Sequence, residues 1–307
     1  MNKIVVIGSF VVDLMARAPH LPVPGETVKS MMFKMGPGGK GFNQGIAAYK
    51  SGGNVTMVTK LGKDEFANVA LNMLKELNMS SEFVFVTEEA PTGVALIMVD
   101  ENTSQNAIMV AAGACDTFND DDITKITPII KSSDFLLTQL ETNIDAVEKV
   151  IDIAFKNGIK VILNPAPVQP IKDELLKKIY IITPNEVEAG ILSGIKINNI
   201  DDAYKAAKYF LDKGVKEVII TLGKDGVLAV TKDKHELFHN YDVKVVDTTG
   251  AGDAFNGGFV TALAENKDLF EACRFANVVS NLEVTKIGTS IAMPLREDID
   301  KFIKKNS

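Results

Sequence analysis

Apolar residues along this chain follow two rhythms. Short continuous runs, the signature of strands buried on both faces, occur at 3–7 (K-I-V-V-I), 55–59, 135–138, 161–164, 180–183 and 218–221. A further short run, Val243, Val245 and Val246, also predicts a strand. Three-four spacing predicts amphipathic helices over 64–77, 144–157 and 201–213, and another from Phe255 through Phe259, Val260 and Leu263. From residue 120 onward strand and helix alternate, which predicts a parallel sheet covered by helices on both faces. Two runs break the alternation. Residues 94–99 and 107–111, joined by the polar D-E-N-T-S-Q-N, predict a β-hairpin, because no helical crossover fits between them.

Polar residues punctuate these runs in step. Glu141, Asn164, the P-N-E-x-E of residues 184–188 and the G-K-D-G of residues 223–226 each follow a strand. In an open parallel sheet all such ends share one edge, where ligands bind. Each alone reads as turn, cap or ligand contact, and Glu141 reads equally as a cap. Asp13, alone among apolar residues after the first strand, reads more readily as a solvated turn residue than as a ligand contact. Residues 19–25 (P-H-L-P-V-P-G) form a turn-rich connector. The following G-P-G-G-K-G-F-N-Q (36–44) leads into a helical pattern through Ile46, Ala47 and Tyr49, and is expected to be a binding loop. It lacks the spacing of a Walker A loop, and no G-x-G-x-x-G follows the first strand.

The D-T-T-G-A-G-D-A-F of residues 247–255 carries the sharpest chemistry. A Gly250-Ala251-Gly252 turn opens a helix, where free N–H groups and the helix dipole attract an anion. Asp253 in that first turn reads equally as a helix cap and as the proton acceptor for phosphoryl transfer to a hydroxyl.

Totals narrow the field. The chain of 307 residues is 46% apolar and 24% charged, enough for one large α/β domain, with no repeat, linker or low-complexity segment. A formal charge of −7 argues against nucleic acid and anionic membranes. The only arginines are Arg17, Arg274 and Arg296, so a phosphate site must rely on backbone amides, lysines or a metal. Cys115 and Cys273 show no pairing or metal spacing, and with no signal peptide recognisable they predict reduced thiols in the cytoplasm. His20, His235 and His239 form no metal set.

Taken together, G-S-x-x-x-D (8–13), G-G-K-G-F-N-Q (38–44), Q-L-E (139–141), N-P-A-P (164–167), P-N-E-x-E-A (184–189), T-L-G-x-x-G (221–226) and D-T-T-G-A-G-D-A-F-N-G (247–257) resemble the ribokinase family of sugar and nucleoside kinases over essentially the whole chain. The resemblance implies a three-layer αβα sandwich with a mostly parallel sheet and a small β lid from about 11–37 and 93–112. It implies ATP-dependent phosphorylation of a sugar primary hydroxyl, with the 5-hydroxyl of ribose as the expected acceptor. Deoxyribose, fructose and adenosine remain alternatives, and a non-catalytic sugar-binding protein a remote one. Mg²⁺ with the nucleotide and activation by a monovalent cation such as K⁺ also follow from it. The lid strands would leave unpaired edges unless covered, which predicts a homodimer joined through them.

By the same resemblance Asp253 is the base, and Gly250, Ala251 and Gly252 form the anion hole. Val11, Asp13, Gly39, Lys40, Gly41, Asn43 and Glu141 match the sugar positions. Asn185, Glu188, Thr221, Leu222, Gly223, Lys224, Asp225, Gly226, Gly252 and Asn277 match the nucleotide site, Asn185 and Glu188 through the motif tied to magnesium and phosphate. Asp247, Thr249, Glu283, Lys286, Gly288 and Ala292 match the cation loop, largely through carbonyl oxygens. Three residues depart from the family pattern: Val11 in place of an asparagine, Phe42 in place of a small residue, expected to narrow or reshape the sugar pocket, and Ala292 in place of a serine. Ser290 is near that last position but not aligned with it.

Overall fold

The apolar runs pair as strands in a computed structural model that describes residues 1–103 and 105–306. The strands are β1 (Lys3–Ile7), β2 (Val11–Ala18), β3 (Met32–Gly38), β4 (Asn54–Gly62), β5 (Val84–Thr87), β6 (Thr92–Asp100), β7 (Asn106–Gly113), β8 (Phe135–Thr138), β9 (Lys160–Leu163), β10 (Ile181–Ile182), β11 (Glu217–Thr221), β12 (Val227–Val230) and β13 (His235–Phe238). Nine form one sheet in the order β13-β12-β11-β10-β9-β8-β1-β4-β5, parallel from β11 to β5. Only β12 and β13, an antiparallel hairpin that the hydrophobic pattern did not reveal, break the direction at one edge.

The helices are α1 (Lys40–Lys50), α2 (Ala67–Glu76), α3 (Asp120–Lys131), α4 (Ile144–Lys156), α5 (Asp173–Leu176), α6 (Glu186–Ser193), α7 (Ile200–Asp212), α8 (Ala251–Ala264), α9 (Leu269–Glu283) and α10 (Arg296–Asn306). β1 shows why they split into two layers. Ile4 and Val6 enter a core with α1, α2, α8 and α9, while Val5 and Ile7 enter a second core with α3, α4 and α7. No helix among the described residues is long and apolar enough to cross a membrane.

The other four strands form a small sheet, β3-β2-β6-β7, in which only β2 and β6 run parallel. This is the expected lid, and residues 94–99 and 107–111 are indeed a hairpin; Ser104 in its connection lies outside the described residues. Strand alternation gives the lid two faces. Asp13, Met15, Ile97 and Val99 face a cleft over the main sheet, whereas Phe33, Met35, Leu96, Met98 and Met109 are exposed on the far side.

Several expectations change. Residues 243–246 form no strand: Val245 and Val246 are exposed beside the cleft, and the N–H groups of Val246 and Asp247 are both taken by the Val284 carbonyl. The helix expected from residue 64 begins at Ala67, because the Asp64 carboxylate accepts from the N–H groups of Phe66 and Ala67 and holds the chain in a turn. The glycine-rich segment is no loop. Gly36 and Gly38 lie in β3, and Gly39 alone makes the corner into α1 at φ 87°, with backbone of Ser9, Phe10 and Val11 too close for a side chain.

Close approach also joins α1 to α8. A Cβ on Gly257 would sit 2.4 Å from the Ala47 Cβ and 2.5 Å from the Gln44 carbonyl oxygen, so the two helices touch backbone to backbone. Phe42 enters the core they share. It is fully buried with its ring edge-on to Phe10 at 4.9 Å and does not itself line the cleft.

Candidate active site

The mouth of α8 is open. Gly250 adopts φ 97° and turns the chain into the helix, where the first-turn N–H groups have no intrahelical acceptor and only that of Ala251 reaches back, to the Thr248 carbonyl at 3.3 Å. A Cβ added to Gly252 would meet nothing within 4 Å, so a ligand has room against those groups.

Asp253 does not cap this helix. Its carboxylate accepts from the Asn43 amide (Nδ2 to Oδ2, 3.0 Å) and the Gln44 amide (Nε2 to Oδ1, 2.9 Å), both on the first turns of α1. Burial raises its pKa, opposed by the nearby Lys40 ammonium and the two amides. The polar chain continues behind it. Gln44 also donates to Asn164 Oδ1 (3.0 Å) and accepts from Gln139 Nε2 (2.7 Å), while Asn164 donates to the Thr183 carbonyl. Thr183 donates to Asn256 Oδ1, and Asn256 returns to the Gly252 carbonyl (2.8 Å). The carboxylate and the amide turn are thus held by one network across the strand ends. Such an arrangement can take a proton from an alcohol while negative charge builds at the helix mouth.

Lys40 stands among three carboxylates. Burial would lower its pKa, but Asp253, Glu141 and Glu188 outweigh that and hold it above the ordinary value. Glu141 accepts from the Lys40 N–H (2.8 Å) and the Ser9 hydroxyl, so it caps α1. Gly41 lies flat on Gly8, where a Cβ would come within 2.5 Å of backbone.

Asp13 is not a turn residue. It sits within β2, opposite Gly36, on the wall of a cleft of about 330 Å³ between lid and body. Burial, with Glu141 adding, pushes its carboxyl up to about 6. Gly36, Pro37, Asp247, Thr249, Gly288 and Thr289 share that cleft; Lys40, Asn43 and Glu141 do not line it. Val11 is buried at the start of β2, between Gly38 and Gly93.

The ends of β10 and β11 carry the expected nucleotide residues. Asn185 and Glu188 form a capping box on α6: Asn185 Oδ1 accepts from the Glu188 N–H (2.8 Å), and Glu188 Oε2 from the Asn185 N–H (3.0 Å). Burial raises the Glu188 pKa. Residue 185 bridges Thr221, so both motifs sit side by side. Leu222 is buried, and Gly223, Lys224 and Asp225 form an exposed single turn closed by Gly226 at φ 102°. Asn240 ties the carbonyls of Gly223 and Lys224. Asn277 donates to the His239 carbonyl (2.8 Å) and accepts from Asn281.

Beyond the α8 mouth, Asp247 accepts from the N–H groups of Thr249 (2.9 Å) and Gly288 (3.1 Å), which folds two loops together. Glu283 lies fully buried beside them, and neither carboxyl oxygen finds a hydrogen-bond partner among the described residues. Its Oε1 would sit 2.8 Å from a Cβ on Gly250, directly behind the amide turn. Burial, then Asp247 and Asp253, push its carboxyl up to about 9. Ala292 is buried and Lys286 exposed. An orphaned buried carboxylate suits a cation.

Sequence reasoning missed Asn240 and Asn281 altogether. Ser9, Gln44, Gln139, Asn164, Thr183 and Asn256 entered only as parts of motifs or strand ends, and Ser290 only as a neighbour of position 292, so none was assigned its role in holding the site together. Buried asparagine, glutamine and hydroxyl residues carry no periodic signal.

A scan against protein families matches residues 1–296 as pfkB family carbohydrate kinase. A ribokinase of Haemophilus influenzae is 40% identical over 303 residues, 99% of each chain. A deoxyribokinase of Salmonella typhi is 34% identical over 304 residues, again 99% of each. Among solved structures, an Arabidopsis thaliana ribokinase complexed with ribose and ATP matches with a TM-score of 0.90 at 30% identity, over 99% of both chains. A Thermotoga maritima ribokinase matches at 0.89 and 34% identity, over 99% of this chain and 100% of that one.

Proposed function

The chain belongs to the pfkB family of carbohydrate kinases, and from that premise we propose that it transfers the γ-phosphoryl group of ATP to the 5-hydroxyl of ribose. The observation that carries this reading is Asp253, clamped by Asn43 and Gln44 at an open, amide-lined helix mouth. Asp253 acts as general base, and the N–H groups of Gly250, Ala251 and Gly252 receive the charge that develops on the phosphoryl group. Asp13, Lys40, Asn43 and Glu141 hold the sugar beneath the lid, with Gly39 and Gly41 letting the start of α1 pack against residues 8–11. Thr221, Gly223, Gly226 and Asn277 line the nucleotide site. Mg²⁺ bound with ATP would offset phosphate charge, and Glu188 keeps one carboxylate oxygen outside its capping box for that purpose. For a monovalent cation the loops of Asp247, Thr249, Glu283, Gly288 and Ala292 fit, because the bare Glu283 carboxyl is left without a partner among the described residues.

A ribose panel tests the reading: ribose, 2-deoxyribose, fructose and adenosine with ATP, each with and without K⁺. Ribose is expected to give the highest kcat/KM, and absence of turnover with every acceptor overturns the proposal. Val11, a buried apolar residue two positions before Asp13 on β2, and the deoxyribokinase relative favour 2-deoxyribose as the second acceptor. The exposed apolar face of Phe33, Met35, Leu96, Met98 and Met109 supports a homodimer through the lids. Sedimentation as a monomer would remove it. The free, buried Cys115 and Cys273 accord with a cytoplasmic setting.

A further inference from the structure

The loop after α9 reaches back to the base through a residue outside every motif. Ser290 is fully buried, and its hydroxyl donates to Asn43 Oδ1 at 2.5 Å. The same amide group then donates from Nδ2 to Asp253 Oδ2 at 3.0 Å. Lys50, seven residues beyond Asn43 on the same helix face, donates to the carbonyls of Ser290 (3.1 Å) and Met293 (3.3 Å). Helix α1 therefore grips this loop at two points, and one of them is the amide that holds the carboxylate.

A primary amide has two ends of opposite character. A carboxylate only accepts, so Asp253 is served only when the NH₂ end of Asn43 faces it. The Ser290 hydroxyl makes that orientation the satisfied one, because it supplies a donor to the oxygen left pointing the other way. Without it, a buried carbonyl oxygen loses its partner, which is costly in a closed interior. The amide can then turn, and Asp253 loses one of its two donors.

We propose that Ser290 is a positioning residue for phosphoryl transfer: it fixes the Asn43 amide, and through it the Asp253 carboxylate, and so ties the base to the loop of residues 288–293. This rests on the reading of Asp253 as general base. Ser290 touches neither reacting group in this role. Its backbone is anchored separately by Lys50, so the hydroxyl can be removed with the loop still in place.

The test is a double-mutant cycle of Ser290→Ala and Asn43→Ala, followed by kcat, KM for both substrates and thermal unfolding. Ser290→Ala is expected to lower kcat by up to about a hundredfold, the size of loss a small misplacement of a reacting group produces, with KM for ATP unchanged. In the Asn43→Ala background it should lower kcat no further. Ser290→Cys, which keeps a weak donor, should recover part of the loss, and it carries the test if the alanine variant does not fold. An unchanged kcat in Ser290→Ala, or an equal loss in both backgrounds, overturns the proposal. If the unaltered protein turns over no acceptor, the kinase reading fails on its own. The link is then judged from a crystal structure of Ser290→Ala: an Asn43 amide still seated on Asp253 sinks it, and one turned away sustains it.

Discussion

Asp253 and Glu283 are two acidic side chains buried in the same corner of the molecule, and burial raises the pKa of both. Around Asp253 the fold supplies two side-chain amides and a nearby ammonium, backed by a chain of further polar side chains across three strand ends. Around Glu283 it supplies none, and two other carboxylates push in the wrong direction. An anion surrounded by oriented donors is ready to act as a base without rearrangement. An acid buried without donors rests as the neutral form until something positive arrives. One position is finished by the protein; the other is left for a ligand to finish.

The largest effect expected from breaking this contrast is at Asp253. Asp253→Asn should cut kcat by roughly a hundred- to ten-thousand-fold, as loss of a general base does, with thermal stability nearly intact. Near-normal turnover would reduce Asp253 to a structural residue. Next comes Gln44, which serves Asp253, Asn164 and Gln139 together. Gln44→Ala leaves buried partners unsatisfied and should destabilise the fold by about 1–3 kcal/mol, read as a lower urea midpoint, with a smaller fall in kcat than Asp253→Asn gives.

Glu283→Gln should behave oppositely. With its carboxyl pushed up to about 9, Glu283 is neutral at pH 7, so the neutral amide should leave the urea midpoint unchanged or raise it when no K⁺ is present. The unaltered protein should gain stability on adding KCl, and the variant should not. A lower midpoint without K⁺ would mean that Glu283 has a partner after all.

The smallest effect concerns Asp13, whose carboxyl titrates at about 6. A folded-state pKa above the ordinary carboxylate value means that ionising Asp13 disfavours the folded state: the penalty is absent at low pH and grows as pH rises to about 6. Sugar binding runs the other way, because only the ionised form accepts hydrogen bonds from two hydroxyls. Calorimetry should therefore show weaker sugar binding below that pH than above it, and Asp13→Asn should flatten the dependence.

The sheet was legible because strands buried on both faces are unbroken apolar runs, and β1, β8, β9 and β11 have few other readings. The helix mouth was legible because a Gly-Ala-Gly turn, with Gly250 in the left-handed region, runs straight into an apolar-periodic helix. Val243–Val246 misled for the converse reason: a short apolar run that lines a cleft looks like one that lines a sheet. Glycine density made residues 36–39 look like part of a binding loop, yet three of the four lie in a strand. Asp13 was read as a turn residue because its setting depends on the lid strand closing over the body, a contact far apart in sequence. The amide network under Asp253 was hidden most completely, since Gln44, Gln139 and Asn256 reveal their partners only when α1, β8 and α8 converge.

The contact at Gly257 has a consequence for how such an enzyme can change its diet. With α1 and α8 touching through their main chains, the carboxylate clamp and the amides of the α8 mouth form one piece, and their spacing is insulated from events elsewhere. The small sheet that walls the cleft belongs to a different piece. Substitutions on it can retune which sugar is welcomed while the distance over which phosphorus must travel stays as it was.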